Sequence, residues 1–339
     1  MAHKVTAQDV ANLAGVSRSA VSLVLNGRAA GNISLAKQHA VLVAAEQLDY
    51  RPNVVAVSLR SRRTRTIGLL SWSGQFSFAQ ILLRQALQKA HDFHYLLLAV
   101  DTDGDTQLER RQLETLRDRQ VDGFLVVAPH LMEYEPADVL LTSPTVLLNC
   151  VDAHGALTSV APDEAEAGRR AAEVLLERGH RRLAVLLGGE RSLQTRLRVL
   201  GIEQAVQAAG LPVPVPVTAG MGIDSGYRAA TAVLQQPERP TALICTHERL
   251  AVGAALAAAE LGLPVPAALS LVGLEDGERL AATLVPPLTT VHRPDAAMAE
   301  EAVTLLVQGL DGSRRPEVKH LRFSCQVHAR DSVAPPPAP

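Results

Sequence analysis

Hydrophobic residues in the first fifty positions recur every three or four residues, the spacing typical of short amphipathic helices. Thr6 is placed to cap a first helix, with Asp9 in its first turn, and Ser17 is placed to cap a second. The residues expected on the inward sides of these two helices are Val10, Ala11, Leu13, Ala20, Val21, Val24 and Leu25.

Between these helices lies Gly15, which can take the positive φ that a tight helix-to-helix turn needs. The small Ala11 facing Val21 allows the two helices to cross closely, as in a DNA-binding helix-turn-helix. A third helix is predicted over residues 34–48 with Ser34 as its cap. The residues expected to close a small core from this helix are Val41, Leu42, Ala45 and Leu48.

From residue 66 onward, short apolar runs alternate with helical stretches, which predicts repeated βα units and parallel sheets. The strands are predicted at 67–71, 95–100, 123–128, 145–148, 183–187, 242–246 and 269–273. The helices between them are predicted at 79–91, 107–119, 164–178, 195–209 and 250–261. Two lobes result, and because open parallel sheets bind ligands at the carboxyl ends of their strands, a pocket is expected between the lobes.

Composition narrows the classes of protein. The 339 residues are 47% hydrophobic and 20% charged, with a net charge of −2. No apolar run approaches the roughly 20 residues of a membrane span, and the N-terminus lacks the apolar core of a signal peptide, so a cytoplasmic protein is expected. Cys150, Cys245 and Cys325 are far apart and are expected to be reduced core thiols.

The small net charge hides an asymmetry between the two ends. Residues 1–65 hold nine arginines and lysines against three acidic residues, whereas the remainder is acidic. The basic end suits a polyanion such as DNA. Arg18 and Ser19 are expected to read base edges from the start of the second helix, because arginine can bind guanine O6 and N7 together.

A short apolar segment and a basic stretch follow the three predicted N-terminal helices, which are called the head below. Residues 54–60 form a segment too short to be a stable helix alone, and the basic stretch 61–66 follows it. Such a segment is expected to order when it packs against something, and an apolar wedge beside arginines suits a minor groove that is being kinked open.

The sequence shows no signature of catalysis or of a bound cofactor. A Gly-x-Gly-x-x-Gly, a Walker loop and a Gly-x-Ser-x-Gly elbow are all absent, so neither an enzyme nor a cofactor is expected. His91 and His94 have a spacing that could bind a metal, but no further ligand accompanies them. A solvated pair is the better interpretation, and no metal site is expected.

The chain resembles the LacI/GalR family of transcriptional regulators. The resemblance rests on the run from Thr6 to Asn26, on Tyr50-Arg51-Pro52-Asn53, on the hinge 55–60 and on the entry strand 66–70. Further short sequence motifs typical of the family occur at 121–123, 177–182, 270–273 and 286–291, so the resemblance covers roughly residues 5 to 332.

The resemblance implies a set of DNA contacts and a role for the hinge. The implied contacts are Thr6, Ser17, Arg18, Ser19, Ser22, Leu23, Asn26, Tyr50, Asn53, Ala56, Leu59 and Arg60. Leu59 corresponds to the leucine that intercalates at the centre of the operator. Two departures indicate an operator of a different sequence: residues 27–33 are about two residues longer than usual, and Leu23 stands where many members carry a polar or basic residue.

The expected fold is an all-α helix-turn-helix head followed by an α/β, two-lobed, periplasmic-binding-protein-like domain with parallel sheets flanked by helices. The head is expected over 1–52, the hinge helix and basic linker over 53–65, the two-lobed domain over 66–332 and a proline-rich tail over 333–339. Within the two-lobed domain, the first lobe is expected over about 66–162 and 290–322, and the second over about 163–289 and 323–332.

Effector contacts are also implied by the resemblance. They fall on Ser73, Phe76, Phe78, Asn149, Arg198, Glu248 and Glu275. Several depart from the sugar-binding pattern: Ser73 replaces an aspartate, His247-Glu248 replaces Asn-Asp, and Glu275 replaces an aspartate. An arginine, carboxylates and an aromatic ring can still bind a polyol, because hydroxyl groups both donate and accept hydrogen bonds.

The expected function is therefore sequence-specific transcriptional regulation, as a repressor, by a homodimer on a pseudo-palindromic operator. A small effector, a sugar or sugar derivative, is expected to control it, and no membrane partner is expected. Two alternatives stay open at this point: a solute-binding protein of the same two-lobed architecture, and a regulator that binds DNA constitutively because its effector pocket is degenerate.

Overall fold

A computed structural model of the chain describes residues 5–25, 29–50, 63–72, 78–189, 192–277, 280–312 and 317–338. The chain divides into two compact units, Met1–Thr64 and Arg65–Pro339. No helix in the described ranges is long and apolar enough to cross a membrane.

The N-terminal unit contains three helices around one small core. They are α1 (Ala7–Ala14), α2 (Arg18–Leu25) and α3 (Leu35–Gln47). The buried core residues are Val10, Ala11, Val21, Val24, Ala29, Val41, Ala44 and Ala45. Ala11 of α1 and Val21 of α2 both lie in this core, on the inward sides predicted for them.

Two leucines that the sequence placed inside the head are on its surface. Leu13 and Leu42 are each 53% exposed, so their assignment to the core was wrong. On α3 the inner side is filled by Val41, Ala44 and Ala45. Leu42 lies on the outer side of α3.

The second unit contains two parallel sheets with helices on both faces. The strands of the first sheet are β1 (Thr66–Ser71), β2 (Leu96–Asp101), β3 (Gly123–Tyr134), β4 (Thr145–Asp152), β5 (Thr158–Pro162) and β11 (His320–Phe323). Their spatial order is β11-β5-β4-β3-β1-β2, and every pairing is parallel. The helices of this lobe are α4 (Phe78–Asp92), α5 (Thr106–Asp118), α6 (Asp138–Thr142) and α12 (Asp295–Asp311).

The second sheet is built in the same way. Its strands are β6 (Leu183–Gly188), β7 (Val217–Ala219), β8 (Ala242–Cys245), β9 (Ser270–Leu274), β10 (Thr289–His292) and β12 (Gln326–His328). Their order is β12-β10-β9-β8-β6-β7, with β12 antiparallel to β10. Its helices are α7 (Glu164–Glu177), α8 (Leu193–Ala208), α9 (Ile223–Leu234), α10 (Glu248–Glu260) and α11 (Leu280–Thr283).

Side chains of successive strand residues pack on opposite faces of each sheet. In β1, Ile67 and Leu69 join a core with α4 and α12, whereas Leu70 joins the core on the α5 side. A strand buried on both faces reads as a continuous apolar run, which is why β1 could be recognised from the sequence. The predicted fold class, a helical head with a two-lobed parallel α/β domain, is confirmed.

The positions at which the chain crosses from one lobe to the other lie a few residues away from the predicted positions. Because β10 pairs with β9, residues 290–292 belong to the second lobe and not to the first. Phe323 belongs to β11 of the first sheet, where it lies opposite Pro162, and not to the second lobe. The start of the expected tail is also tied to the second lobe, since the Ala334 carbonyl oxygen accepts a hydrogen bond from the Ser270 hydroxyl at 3.1 Å.

All three cysteines are buried, and none is part of a disulfide bond. Burial raises the pKa of Cys150 and Cys245 far above the ordinary value of a thiol and that of Cys325 to about 12. These groups therefore stay as thiols within the core, as the sequence predicted.

Candidate functional sites

The turn between α1 and α2 is fixed by the backbone geometry of Gly15, and a hydroxyl residue stands at the start of each helix. Gly15 has φ 66° and ψ 35°, and its N–H bonds to the Ala11 carbonyl at the end of α1. The Asp9 carboxylate accepts from the backbone N and the hydroxyl of Thr6, at 2.8 and 2.7 Å. At the start of α2 the Ser17 hydroxyl accepts from Ala20 N at 3.2 Å. Both helix starts are therefore held by their own side chains.

The outer face of α2 carries the predicted base readers. Arg18 and Ser19 are exposed, and the Ser19 hydroxyl is 2.8 Å from that of Ser17. Ser22 and Leu23, one turn further along the helix, are half-buried. The first turn of α2 thus presents a guanidinium and two hydroxyl groups at one end of the helix, which is where a recognition helix meets base edges.

The remaining predicted DNA contacts divide into two groups. Tyr50 is half-buried against the core of the head, and its N–H bonds to the Ala45 carbonyl at 2.8 Å. The structure therefore gives Tyr50 a packing role at the end of α3. The others lie outside the described residues: Asn26, Asn53, Ala56, Leu59 and Arg60.

The second site is a buried network of charged side chains at the carboxyl ends of the strands of the second lobe. Arg198 on α8 is 1% exposed. Its Nε and one terminal nitrogen bind the Glu164 carboxylate at 2.6 and 3.0 Å. The same terminal nitrogen binds Glu275 at 2.9 Å, and the other donates to the Thr246 carbonyl. Arg198 therefore ties four segments of this lobe together.

Close helix packing brings Arg198 and Glu164 together. A Cβ on Gly168 of α7 would overlap the Arg198 carbonyl oxygen, and one on Gly201 of α8 would overlap the Ala165 carbonyl oxygen. The two helices can approach so closely only because both positions are glycine. Glu164, in the first turn of α7, then reaches the guanidinium directly.

Glu275 is the centre of the network. Its carboxylate is 2.9 Å from Arg198, 2.8 Å from Gln194 Nε2 and 3.0 Å from His247 Nδ1. Burial opposes its ionisation, but His247 and Arg198 together hold the pKa of Glu275 far below the ordinary value. Glu275 is thus a buried carboxylate that stays ionised at neutral pH.

A second buried ion pair stands beside this network. Arg293, directly after β10, binds Asp295 in two places, at 2.6 and 3.2 Å. Burial, more than any other influence, raises the pKa of Asp295 despite the neighbouring guanidinium. Arg293 also interacts electrostatically with Glu275 and Glu164, so the two groups of charges form one cluster.

The first lobe contributes a bend of β3 that faces this cluster. The pairing of β3 with β4 breaks between Val127 and Met132. Within the break, His130 is half-buried and interacts electrostatically with His247 and Glu275, and burial chiefly lowers its pKa. Leu131 N donates to Gln194 Oε1 at 3.2 Å. The bend therefore joins the two lobes at the charge cluster.

The predicted effector contacts are only partly brought together. Arg198 and Glu275 are direct neighbours, whereas Glu248 is buried and accepts a 2.6 Å hydrogen bond from Ala281 N. Asn149, at φ 62°, is fully buried and donates to the Ala128 carbonyl at 3.0 Å, and its own carbonyl oxygen has no hydrogen-bond partner in the described structure. Ser73, Phe76 and the side chain of Phe78 lie outside the described residues.

Several members of the cluster are not among the residues predicted from the sequence. These are Glu164, Gln194, His247, Arg293 and Asp295. Their positions carried a signal: Glu164 and Arg293 follow the carboxyl ends of β5 and β10, and Gln194 opens α8. Polar residues directly after parallel strands are where a ligand site of such a sheet is expected.

A three-helix head with an exposed helix face that suits base reading, joined in one chain to a two-lobed domain with a buried charge cluster where its lobes meet, is the architecture of a DNA-binding regulator. Residues 6–53 match the family described as bacterial regulatory proteins, lacI family, and residues 172–333 match the periplasmic binding protein-like domain.

Similar proteins agree over nearly the whole length. The ribose operon repressor of Escherichia coli K12 is 33% identical over 309 residues, which cover 89% of this chain and 92% of that protein. The HTH-type transcriptional repressor PurR of Escherichia coli O139:H28 is 33% identical over 340 residues, which cover 98% of each. The chain therefore belongs to the lacI family of bacterial regulatory proteins and is a sequence-specific transcriptional regulator.

A solved structure supports the fold. The lac repressor dimer bound to operator and the anti-inducer ONPF superposes with a TM-score of 0.81 at 24% identity, covering 98% of this chain and 100% of that one. The head and both lobes of the chain therefore have counterparts in a single solved repressor.

Proposed function

We propose that the chain is a homodimeric repressor whose head reads the half-sites of a pseudo-palindromic operator and whose cleft binds a small, uncharged polyol, a sugar or sugar derivative. The observation that carries the DNA-binding part is the exposed pair Arg18 and Ser19 on the first turn of α2. Arginine can bind guanine with two hydrogen bonds, and each such contact contributes about 1–3 kcal/mol of discrimination between bases. No catalytic step is part of this proposal.

The chemistry of the cleft supports an uncharged effector. Three buried carboxylates, Glu164, Glu275 and Asp295, stand against the two guanidiniums of Arg198 and Arg293. Both guanidiniums and His247 already contact carboxylates, so none of these three described groups is left over for a phosphate or carboxylate group. A hydroxyl group, which donates and accepts, suits such surroundings better than an anion.

Asn149 and His130 are the proposed contacts on the first lobe. The unpartnered Asn149 carbonyl oxygen is a buried acceptor, and leaving such a group without a donor costs about 1–3 kcal/mol. A hydroxyl of the effector would satisfy it. His130 faces the charge cluster from the same lobe. A ligand held between these two residues and the charge cluster would therefore contact both lobes.

Control of DNA binding follows from two lobes that share one ligand. An effector that binds one arrangement of the lobes better than another shifts the population of the two, and the coupling acts equally in both directions. The dimer and the hinge are carried over from the family: the lac repressor structure is that of a dimer on its operator, and the ribose operon repressor is named for a sugar operon. Leu59 is proposed as the wedge of the hinge.

The test is the selection of genomic DNA fragments by the purified chain, followed by sequencing. The proposal predicts an enriched pseudo-palindrome, with half-sites about one helical turn or a multiple of it apart. The Arg18→Ala variant should lose the enrichment, whereas Arg228→Ala, at an exposed ion pair with Asp224 in the second lobe, should keep it. Equal enrichment with Arg18→Ala would remove Arg18 from the proposal, and no enriched sequence with the unmodified chain would overturn the function.

A further inference from the structure

Three potential metal ligands converge on one face of the second sheet, outside the charge cluster of the cleft. They are Asp276, which follows β9, His292 at the end of β10, and His328 at the end of β12. One ligand atom of each lies within 4.8 Å of the others, and this is the group of three such residues that the described ranges contain.

The register of the strands explains why the three meet. In the antiparallel pair β10–β12, Thr290 lies opposite His328 and His292 lies opposite Gln326. His292 and His328 are therefore diagonal neighbours on the same face, within reach of each other. Their rings are stacked with centroids 4.7 Å apart. Asp276 reaches the same place because β9 runs beside β10 and the chain leaves β9 at Leu274.

The contacts around these three residues resemble those of a metal site whose ligands are oriented by neighbouring side chains. His328 Nδ1 is 2.8 Å from the Asp276 carboxylate, and His292 Nδ1 is buried with no hydrogen-bond partner in the described structure. Arg330 binds the same carboxylate oxygen at 2.6 Å and donates to the Leu288 carbonyl at 2.7 Å. Hydrogen bonds from outer residues to a ligating carboxylate are a usual feature of metal sites, because they fix its orientation.

We propose that Asp276, His292 and His328 bind one divalent transition-metal ion of the Zn²⁺ type. Two imidazoles and one carboxylate are a ligand set that suits Zn²⁺, with metal–ligand distances of about 2.0–2.2 Å. In tetrahedral coordination, two such ligand atoms stand about 3.3 Å apart. The ion thus takes the place of the proton between His328 and Asp276, which is released to solvent. The two atoms separate by about half an ångström, and one of the two stacked rings turns so that both nitrogen lone pairs point at the ion.

Solvent can reach the proposed ion and supply its fourth ligand. The His328 side chain is 39% exposed, on a strand at the edge of its sheet. Water can therefore reach the ion and complete its coordination. Three protein ligands with one open position favour a reversibly bound ion over a permanently enclosed one.

The site lies close to the passages between the lobes. Over its described residues, the chain crosses between the lobes three times, after Pro162, after His292 and after Phe323. His292 thus lies at the second crossing, just before the Arg293–Asp295 ion pair at the start of α12, and β12 follows the third. An ion bound here joins β10, β12 and the end of β9. We therefore expect it to stabilise the second lobe where the two connections enter it.

The experiment is a titration of the full chain with Zn²⁺ alone, in competition with a chromophoric chelator, and with Co²⁺ as a spectroscopic probe. The proposal predicts one Zn²⁺ per chain, a visible Co²⁺ spectrum of four-coordinate type and a rise in melting temperature with Zn²⁺. His292→Gln and His328→Gln should each weaken binding about tenfold or more and abolish the Co²⁺ spectrum.

The control is His91→Gln combined with His94→Gln, which removes an exposed histidine pair in the first lobe. This variant should bind Zn²⁺ as the unmodified chain does. Because His328 is partly exposed, His328→Gln is expected to fold, and its melting temperature without metal verifies this. Binding that survives both His292→Gln and His328→Gln, or that depends on His91 and His94, overturns the proposal, as does the absence of binding to the unmodified chain.

Discussion

Leu131 of the first lobe and Gln194 of the second are joined by a hydrogen bond, with 3.2 Å between Leu131 N and Gln194 Oε1. The amide nitrogen of the same Gln194 side chain binds Glu275 at 2.8 Å. One carboxamide therefore links the bend of β3 to the centre of the buried charge cluster. Gln194 thus connects the two lobes at the charge cluster.

Replacing Gln194 with alanine should loosen that contact locally. Since a buried hydrogen bond contributes about 1 kcal/mol, we expect the Leu131 amide to exchange its hydrogen roughly five- to tenfold faster. Hydrogen exchange of the peptides that span residues 128–134, followed by mass spectrometry, measures this. Arg196→Ala is the matched control, because it removes an exposed ion pair with Glu133 that also crosses the lobes. Unchanged exchange in Gln194→Ala would show that the bend is held by other contacts.

Replacing Arg198 with methionine should destabilise the second unit strongly. The variant leaves Glu164 and Glu275 buried without their cation, and breaking a buried ion pair from one side costs about 3–5 kcal/mol. Urea unfolding followed by circular dichroism measures the loss. Arg196→Ala, two residues away on the same helix, should cost no more than about 1 kcal/mol, because both members of its ion pair are more than half exposed. Equal losses for the two variants would contradict the buried network.

Stability should fall as the pH is lowered from 7 to about 5, in part because of His180. Burial lowers the pKa of this histidine, which is 1% exposed and bound to Thr241 and Ser270. The folded-state pKa lies below the unfolded value of about 6.5, so the unfolded chain takes up the proton first as the pH falls. The contribution of neutral His180 is therefore present above about pH 6.5 and is lost as the pH falls through the folded-state pKa.

The variant His180→Gln tests this pH dependence. One histidine can contribute at most about 1.4 kcal/mol per pH unit, and the variant should lose its share, so that its free energy of unfolding varies less between pH 5 and 7. The pKa values of His130 and His292 are lowered in the same direction, so part of the slope remains. His154→Gln, at an exposed position, serves as the control. A slope that His180→Gln leaves intact would contradict the assignment.

Replacing Arg18 with alanine should reduce specific more than non-specific DNA binding. Loss of a two-point contact with guanine is expected to cost about 1–3 kcal/mol, equivalent to an operator affinity that is about 5- to 150-fold weaker. Fluorescence anisotropy with operator and with random DNA at one salt concentration gives both values. A variant that loses equally on both sequences would show that Arg18 contacts phosphate instead of a base.

The hydrophobic pattern of the sequence, together with its turn residues, was sufficient to predict the architecture. Continuous apolar runs such as 67–71 predicted strands that are buried on both faces, and Gly15 predicted the left-handed turn of the head. Side-chain size within the head was harder to interpret, since Leu42 has the helical spacing of a core residue but lies outside a core already filled by Val41, Ala44 and Ala45.

The cleft could be predicted only in part. Arg198 and Glu275 were found by resemblance, yet their partners Glu164 and Gln194 are distant in sequence and meet them only through the close packing of α7 and α8 at Gly168 and Gly201. Local pattern carries no information on which helix faces approach each other so closely. The predicted lobe boundaries differed from the observed ones for a related reason. The pairing of β10 with β9 joins residues that are distant in sequence, and local pattern does not reveal it.

Control of operator binding by a neutral polyol is tested most directly by the affinity of the purified chain for its selected operator, measured against a random-sequence competitor while neutral sugars and polyols are titrated. We predict that one such compound changes operator affinity at least about fivefold while leaving binding to random DNA unchanged. We also predict that Asn149→Ala weakens the response to that compound without changing operator affinity in its absence. An operator affinity that no neutral polyol alters, but that a phosphorylated or carboxylated compound does, would contradict the proposed chemistry of the cleft.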